Sequence, residues 1–115
     1  MPVYDITCTN SCEDTSVDTE SLLTAIRNVL SGEGVAQSQI SLALVDDATI
    51  HDLNVRYLNH DYPTDVLSFP LSEADSDLLE GEIIVSYETA RRAADEYSWS
   101  LQQELCLYCV HGALH

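Results

Sequence analysis

The sequence predicts an α+β fold of mixed α/β layers, with a sheet of about four strands covered by about four helices. Three observations support this class. Strand-like and helix-like segments are mixed along the chain in the order β-α-β-α-β-β-α-α. The length of 115 residues suits one hydrophobic core, and the apolar fraction of 45% is typical of a globular protein. We therefore expect residues 1–115 to form a single domain.

The first strand and helix are indicated by composition and spacing. A strand is expected from Val3 to Cys8. In the helix that follows, Asp18 or Thr19 acts as N-cap, and Gly32 or Gly34 ends the helix. Its apolar residues recur at helical spacing and should be buried; they are Leu22, Leu23, Ile26, Val29 and Leu30.

The second strand and helix follow from the same two kinds of pattern. Ile40, Leu42 and Leu44 alternate with small or polar residues, which is typical of a strand with one buried face. Asp46 or Asp47 then caps a helix. The face of this helix that we expect to be buried contains Ile50, Leu53, Asn54 and Tyr57.

The second half of the chain is predicted to contain two strands and two helices. Pro70 should end the first of these strands or place it at a sheet edge, because proline cannot donate to a strand ladder. Gly81 precedes the second strand, and Ser86 is suited to cap the helix after it. The predicted elements are a turn at 59–63, strands from Val66 to Leu71 and from Glu82 to Val85, a helix from Tyr87 to Tyr97, and a helix from Ser100 onward.

Charge is the most unusual bulk property of the chain. Twenty acidic residues face four basic ones, all of them arginines, which gives a formal net charge of -16. Because nucleic-acid-binding proteins usually neutralise phosphates with a basic face, charge alone argues against an RNA partner. Two other interpretations are an acidic surface that maintains solubility and a bound divalent cation that reverses the local field.

The sequence predicts a cytoplasmic protein without a membrane partner. No apolar run approaches the roughly 18 residues that a membrane-spanning helix requires. The N-terminal residues also lack the basic start and apolar stretch of a secretory signal.

The four cysteines fall into two pairs that could suggest a four-thiolate zinc site. The first pair, Cys8 and Cys12, has three intervening residues instead of two and lies in a loop-like segment. The second pair, Cys106 and Cys109, lies in a strongly helical segment, where this spacing places both side chains on one buried flank. We therefore expect Cys106 and Cys109 to be core residues and assign no role to Cys8 and Cys12.

The last helix carries a pair of histidines that could bind one metal ion. His111 and His115 are four residues apart, about 40° around the helix axis, and Glu104 and Tyr108 fall on the same face. Imidazole nitrogen favours zinc, although a catalytic zinc takes three protein ligands and the pair by itself could equally be solvated. Gly112 follows His111, so the zinc-protease arrangement with glutamate at this position is absent.

Three sequence blocks resemble the YbeY-type rRNA maturation factors. The segment from His111 to His115 is similar to the start of the family signature, His-Gly-x-Leu-His, which continues Leu-x-Gly-Tyr-Asp-His. Leu53-Asn54 followed by the segment from Pro63 to Pro70 resembles the family's Leu-Asn and Pro-Thr-Asp-Val-Leu-Ser-Phe blocks. The segment from Gly81 to Ser86 is similar to its Gly-Asp-Ile-x-Ile-Ser strand. The blocks occur in the family's order and cover most of the chain from Ile40 onward.

The resemblance implies a zinc-dependent, single-strand-specific endoribonuclease that matures small-subunit ribosomal RNA and acts in ribosome quality control. It implies one Zn²⁺ per chain, with His111 and His115 as ligands, and either a metal-bound water as the hydrolytic agent or a polarised phosphate. The implied partners are ribosomal RNA and the assembling small ribosomal subunit, with no DNA. The resemblance assigns no catalytic side chain here.

Three departures from the family pattern are visible. The third metal ligand would lie beyond residue 115, so we expect the chain to be C-terminally truncated. Leu58 stands where the family often has an arginine implicated in catalysis, so a phosphate-stabilising cation is expected to be missing. The acidity predicts weak, metal- and salt-sensitive RNA affinity. Two alternatives therefore remain: a catalytically weak homologue that acts in ribosome assembly by binding, and a metal hydrolase with a non-RNA substrate.

Overall fold

The computed structural model describes residues 3–12, 16–59, 64–71 and 78–114. Their elements follow the predicted order, and the predicted α+β class is confirmed. Most of the turn predicted at 59–63 lies outside the described residues, as does His115. The elements are β1 (Val3–Asn10), α1 (Thr19–Gly32), β2 (Gln37–Val45), α2 (Asp47–Leu58), β3 (Val66–Pro70), β4 (Leu78–Ser86), α3 (Tyr87–Tyr97) and α4 (Leu101–Ala113).

The sheet is mixed and has the strand order β1-β2-β4-β3. β1, β2 and β4 run parallel, whereas β3 pairs antiparallel with β4 and forms one edge. The register places Val66 opposite Val85 and Pro70 opposite Gly81. The prediction that Pro70 marks an edge strand is therefore confirmed.

The main core lies between one face of the sheet and helices α1 and α4. Asp18 caps α1 by accepting a hydrogen bond from the Ser21 amide, as predicted. Four of the five α1 residues expected in the core are buried, and Val29 is half-buried because it lies at the margin of the helix face. The core includes Leu22, Ile26, Leu30, Ile40, Leu42, Leu44, Ile83, Val85, Leu105, Tyr108 and Cys109.

Helix α2 covers part of the opposite face of the sheet. Ile50 packs there with Val45, Leu67 and Ile84 in a second, smaller cluster. Asn54 is buried, as expected. Tyr57 was expected to be buried and is instead 65% exposed. The physical reason is that Tyr57 lies in the last turn of α2, above the edge strand, where no further described strand extends the sheet beneath it.

Three strands, β1, β2 and β4, are longer than predicted because neighbouring strands hold them. β4 begins at Leu78 instead of Glu82, since it pairs with β2 over the whole length of both strands. β1 likewise continues to Asn10 opposite Leu44. Among the described residues, no helix is long and apolar enough to cross a membrane.

Candidate functional site

Helix α4 positions the predicted site residue His111. Ser100 and Gln103 form a capping box at the start of the helix, which satisfies backbone groups at both residues. His111 lies in the last turn, with its side chain exposed. The structure therefore presents one imidazole to solvent from a well-anchored helix. His115, its predicted partner, lies outside the described residues.

Gly112 fixes the position of His111 relative to the sheet. A β-carbon at Gly112 would lie 2.7 Å from Cγ2 of Ile83 and 3.1 Å from Cγ2 of Val66. Since real β-carbons essentially never approach another heavy atom to 2.7 Å, only glycine allows α4 this close to β3 and β4. The three sequence blocks that predicted the family meet at this contact. Sequence reasoning missed this role, although a glycine inside a strongly helical segment was a signal for it.

Glu104 and Tyr108 form a buried pair on the flank of α4 that leads to His111. They are 4% and 5% exposed, and the Tyr108 hydroxyl is hydrogen-bonded to the Glu104 carboxylate. Burial raises the pKa of Tyr108 above its ordinary value, and the hydrogen bond and the negative charges of Glu104 and Asp65 raise it further. Tyr108 is therefore a neutral hydrogen-bond donor at physiological pH. Within the described residues, Oε1 of Glu104 has no hydrogen-bond partner.

Asp47 joins the starts of helices α2 and α3. Its Oδ1 accepts hydrogen bonds from Ser86 Oγ at 2.5 Å and Thr89 Oγ1 at 2.7 Å, and its Oδ2 accepts one from Arg92 Nη1 at 2.7 Å. Although burial works in the opposite direction, the hydrogen bonds from Ser86, Arg92 and Thr89 hold the pKa of Asp47 below its ordinary value. The Arg92 guanidinium is thus committed to a structural ion pair.

Leu58 stands where the family often has an arginine, and the neighbouring arginine does not supply the missing positive charge. Leu58 is 41% exposed at the end of α2. Arg56 pairs with Asp52 one turn earlier on the same helix, at 3.2 Å. The end of α2 therefore presents an apolar side chain where the family pattern places a charge.

The cysteines do not assemble into a metal site among the described residues. All four are free thiols. Cys109 is fully buried, as predicted, and burial raises its pKa to about 12. Cys106 is half-buried against the main core. No group of three or more histidine, cysteine or acidic side chains in this part of the chain could hold a metal ion.

Of the two predicted metal ligands, His111 is therefore the one that lies among the described residues. An exposed imidazole on a fixed helix suits a zinc-type ion, which takes nitrogen ligands, and a catalytic zinc requires two further protein ligands. His111 fits such a site as a single ligand.

The fold and this site define a small α+β domain with a mixed sheet. Its last helix packs on the sheet through Gly112 and presents His111 beside the edge strand. The family model for endoribonuclease YbeY matches residues 7–115. The chain belongs to the YbeY endoribonuclease family, as the resemblance predicted.

Relatives and a solved structure agree with this assignment. The endoribonuclease YbeY of Rhodopirellula baltica is 48% identical over 85 residues, which cover 72% of this chain and 43% of that protein. The Pelotomaculum thermopropionicum protein of the same name is 44% identical, covering 82% of this chain and 66% of that protein. The endoribonuclease YbeY of Moorella thermoacetica is 48% identical, and the match covers 84% of this chain and 71% of that protein. The chain thus spans between 43% and 71% of these relatives' lengths.

The solution structure of TM1509 from Thermotoga maritima has the same architecture. It matches this chain with a TM-score of 0.64 at 29% sequence identity. The match covers 97% of this chain and 70% of that one. The α+β fold is therefore shared with a solved protein.

Proposed function

We propose that the protein is a metal-dependent endoribonuclease that cleaves single-stranded RNA, with a zinc-type ion bound by His111 and His115. The observation that carries the proposal is the contact of Gly112 with Ile83 and Val66. It holds His111 beside the edge strand β3, so that the three family blocks meet at one place. Family membership supplies the reaction class, because the relatives carry the name endoribonuclease.

The chain's own residues would divide the work as follows. His111 and His115 would hold the divalent ion, which would supply Lewis-acid chemistry towards a phosphate oxygen or a water molecule. Tyr108 keeps its proton, because its pKa is raised, and it can therefore donate a hydrogen bond. Glu104 accepts the hydrogen bond of Tyr108 and orients the phenol. Both residues lie on the face of α4 that carries His111, about two turns and one turn before it.

We further propose that the substrate is small-subunit ribosomal RNA, handled in the cytoplasm with the assembling small ribosomal subunit and in its quality control. The resemblance of the three blocks supports this assignment. The net charge of -16 gives the chain little capacity to bind phosphates by itself. A ribosomal partner that holds the RNA would compensate for this weakness.

The test combines metal content with cleavage of a single-stranded RNA oligomer. We expect about one zinc ion per chain and metal-dependent cleavage. His111→Ala should lose both. The matched control is His51→Ala, which removes a half-buried histidine from α2 on the opposite face of the sheet. Equal metal content and equal cleavage in the two variants would contradict the proposal.

A second candidate is a catalytically weak homologue that acts in ribosome assembly by binding. It is favoured by the exposed Leu58 and by the commitment of Arg92 and Arg56 to ion pairs with Asp47 and Asp52. Replacing Leu58 by arginine separates the two candidates. If Leu58→Arg cleaves RNA faster than the original chain at the same metal content, the original chain lacks a catalytic cation. That result would favour the second candidate, a homologue that acts by binding.

A further inference from the structure

An apolar hollow lies on the α2 side of the sheet, at the edge formed by β3. It has a volume of about 250 Å³, far more than the roughly 10–15 Å³ that one water molecule needs on a comparable measure, so it can admit a planar group. Two aromatic rings stand at this place: Tyr57 and Phe69 meet edge to face, with centroids 5.8 Å apart and planes 69° apart. The hollow is lined by Leu53, Tyr57, Phe69, Leu71, Glu82 and Ile84.

Tyr57 offers an open ring at the margin of the hollow. Its side chain is 65% exposed, and Leu71 across the hollow is 61% exposed. An edge-to-face contact occupies the edge of one ring and one face of the other, so Phe69 leaves at least one face of Tyr57 available. Exposed apolar side chains are common singly, whereas an exposed aromatic and an exposed leucine around one hollow form a surface suited to a ligand.

Glu82 gives the hollow one polar group. It is exposed on β4 and lies opposite Phe69 in the strand register. A carboxylate accepts hydrogen bonds from the exocyclic amino groups of nucleobases, as in recognition of the cytosine amino group. A planar group stacked on Tyr57 would therefore meet an acceptor at its edge.

Charge determines which part of an RNA such a chain can bind. With a net charge of -16 and four arginines, phosphate contacts can contribute little, and the carboxylate in the hollow repels them further. Base stacking on aromatic side chains does not require a positive surface and contributes substantially for each base. The chemistry of the hollow thus complements an uncharged base instead of a phosphate.

The hollow and His111 lie on opposite faces of the same edge strand. Val66 of β3 contacts Gly112 of α4 on one face, and Phe69 contacts Tyr57 of α2 on the other. Among the described residues, no strand pairs with the outer edge of β3. A single RNA strand that crosses this edge would reach both places.

We propose that the hollow beside Tyr57 and Phe69 is a nucleobase subsite for single-stranded RNA, in which a base stacks on Tyr57 and donates its amino group to Glu82. The inference rests on the proposed function and specifies how that site holds its substrate. The subsite favours bases that carry an exocyclic amino group, so cytidine binds more tightly than uridine.

The test measures the Kd of metal-free protein for short oligomers of cytidine and of uridine. Tyr57→Ala should raise the Kd for the cytidine oligomer about tenfold, whereas Tyr57→Phe should stay within about twofold of the original chain. Tyr97→Ala is the matched control, because Tyr97 is a tyrosine of similar exposure, 68%, at the end of α3. A Kd for Tyr57→Ala within about twofold of the Tyr97→Ala value would overturn the subsite.

The role of Glu82 is tested by the ratio of the two Kd values. Glu82→Val should abolish the preference for cytidine over uridine. Glu80→Val removes a carboxylate two residues earlier on β4, outside the lining of the hollow, and should change both Kd values by the same factor. An unchanged preference in Glu82→Val would contradict the assigned contact.

The outcomes separate this inference from the proposed function. Metal-dependent cleavage that His111→Ala abolishes, together with an unaffected Kd in Tyr57→Ala, would reject the subsite and retain the endoribonuclease. Base binding that Tyr57→Ala weakens about tenfold, in a protein that neither binds metal nor cleaves RNA, would retain the subsite and reject the endoribonuclease. Concentration-dependent self-association that Tyr57→Ala abolishes, with RNA binding unchanged, would assign the hollow to a second copy of the chain and reject the subsite.

Discussion

Gly112 of α4 lies against Ile83 of β4 so closely that a β-carbon on the glycine would stand 2.7 Å from Cγ2 of the isoleucine. Ile83 is only 3% exposed and is packed into the main core, so it cannot easily move aside. The residue after His111 is therefore constrained by packing. This contact links the sequence motif to the place of the histidine in the fold.

Gly112→Ala should destabilise the protein by about 1–3 kcal/mol, the usual cost of inserting a methyl group into a packed core. This is opposite to the gain of about 1 kcal/mol that helix propensity alone would give. Urea unfolding measures the difference. Gly32→Ala is the control, because a β-carbon there meets nothing within 4 Å. Equal stabilisation by both substitutions would refute the packing role.

Replacing Glu104 should separate its hydrogen bond from its charge. Glu104→Ala leaves the buried Tyr108 hydroxyl without its acceptor, so we expect a loss of about 1–3 kcal/mol of unfolding free energy. Glu104→Gln keeps an acceptor and removes a buried charge, and it should retain most of the stability at neutral pH. Thermal or urea unfolding of the two variants measures this, and an equal loss in both would contradict the prediction.

Asp47→Ala should lower the unfolding free energy at neutral pH by about 1–3 kcal/mol, because three hydrogen bonds to the carboxylate are lost. The pKa of Asp47 is held below its ordinary value of 3.8, so this stabilisation is present above pH 3.8 and is lost as the pH falls further. Urea unfolding as a function of pH should show the two proteins converging in acid.

Asp52→Ala is the control for Asp47. Asp52 also pairs with an arginine, but both side chains of that pair are more than half exposed. We expect a change below about 0.5 kcal/mol. A loss in Asp52→Ala as large as in Asp47→Ala would mean that charge alone, and not the hydrogen-bonded junction of α2 and α3, stabilises the protein.

Alkaline pH should destabilise the protein through Cys109. Burial raises the pKa of this thiol from 9.0 to about 12, so the thiol binds its proton more tightly in the folded state. Its contribution is complete below pH 9.0 and is lost as the pH rises towards 12, with a slope of at most about 1.4 kcal/mol per pH unit. Cys109→Ala should show a shallower alkaline decline, measured by urea unfolding between pH 8 and 11. Parallel declines would contradict the assignment.

Local signals were sufficient to predict the helices. The caps at Asp18, Asp46 and Ser86 were each predicted at or within one residue of the observed cap, because a side-chain acceptor before an apolar pattern is a local signal. The last helix was predicted to begin at about Ser100, which is its observed cap. The histidine spacing on α4 was equally local. For the same reason the order of elements could be read from the sequence.

Tertiary contacts decided the features that sequence reasoning missed. Periodicity placed Tyr57 on the correct face of α2 but could not indicate that the sheet ends beneath it. The first residues of β4 include Glu80 and Gly81, which are poor strand formers, and pairing with β2 holds them in the strand. Gly112 is unfavourable in a helix by propensity, and only its distance from Ile83 explains it.

The edge strand β3 also bears on self-association. Asp65 and Leu71 direct their backbone bonds to Ser86 and Glu80 of β4, so by antiparallel alternation Val66, Ser68 and Pro70 direct theirs outward. Because Pro70 has no amide hydrogen, the outer edge of this strand has two N–H groups, of Val66 and Ser68, that no other described strand pairs with. So short a ladder is a poor template for strand-by-strand aggregation, and the surrounding negative charge opposes it further. The open edge beside His111 can therefore stay accessible to a substrate without promoting aggregation.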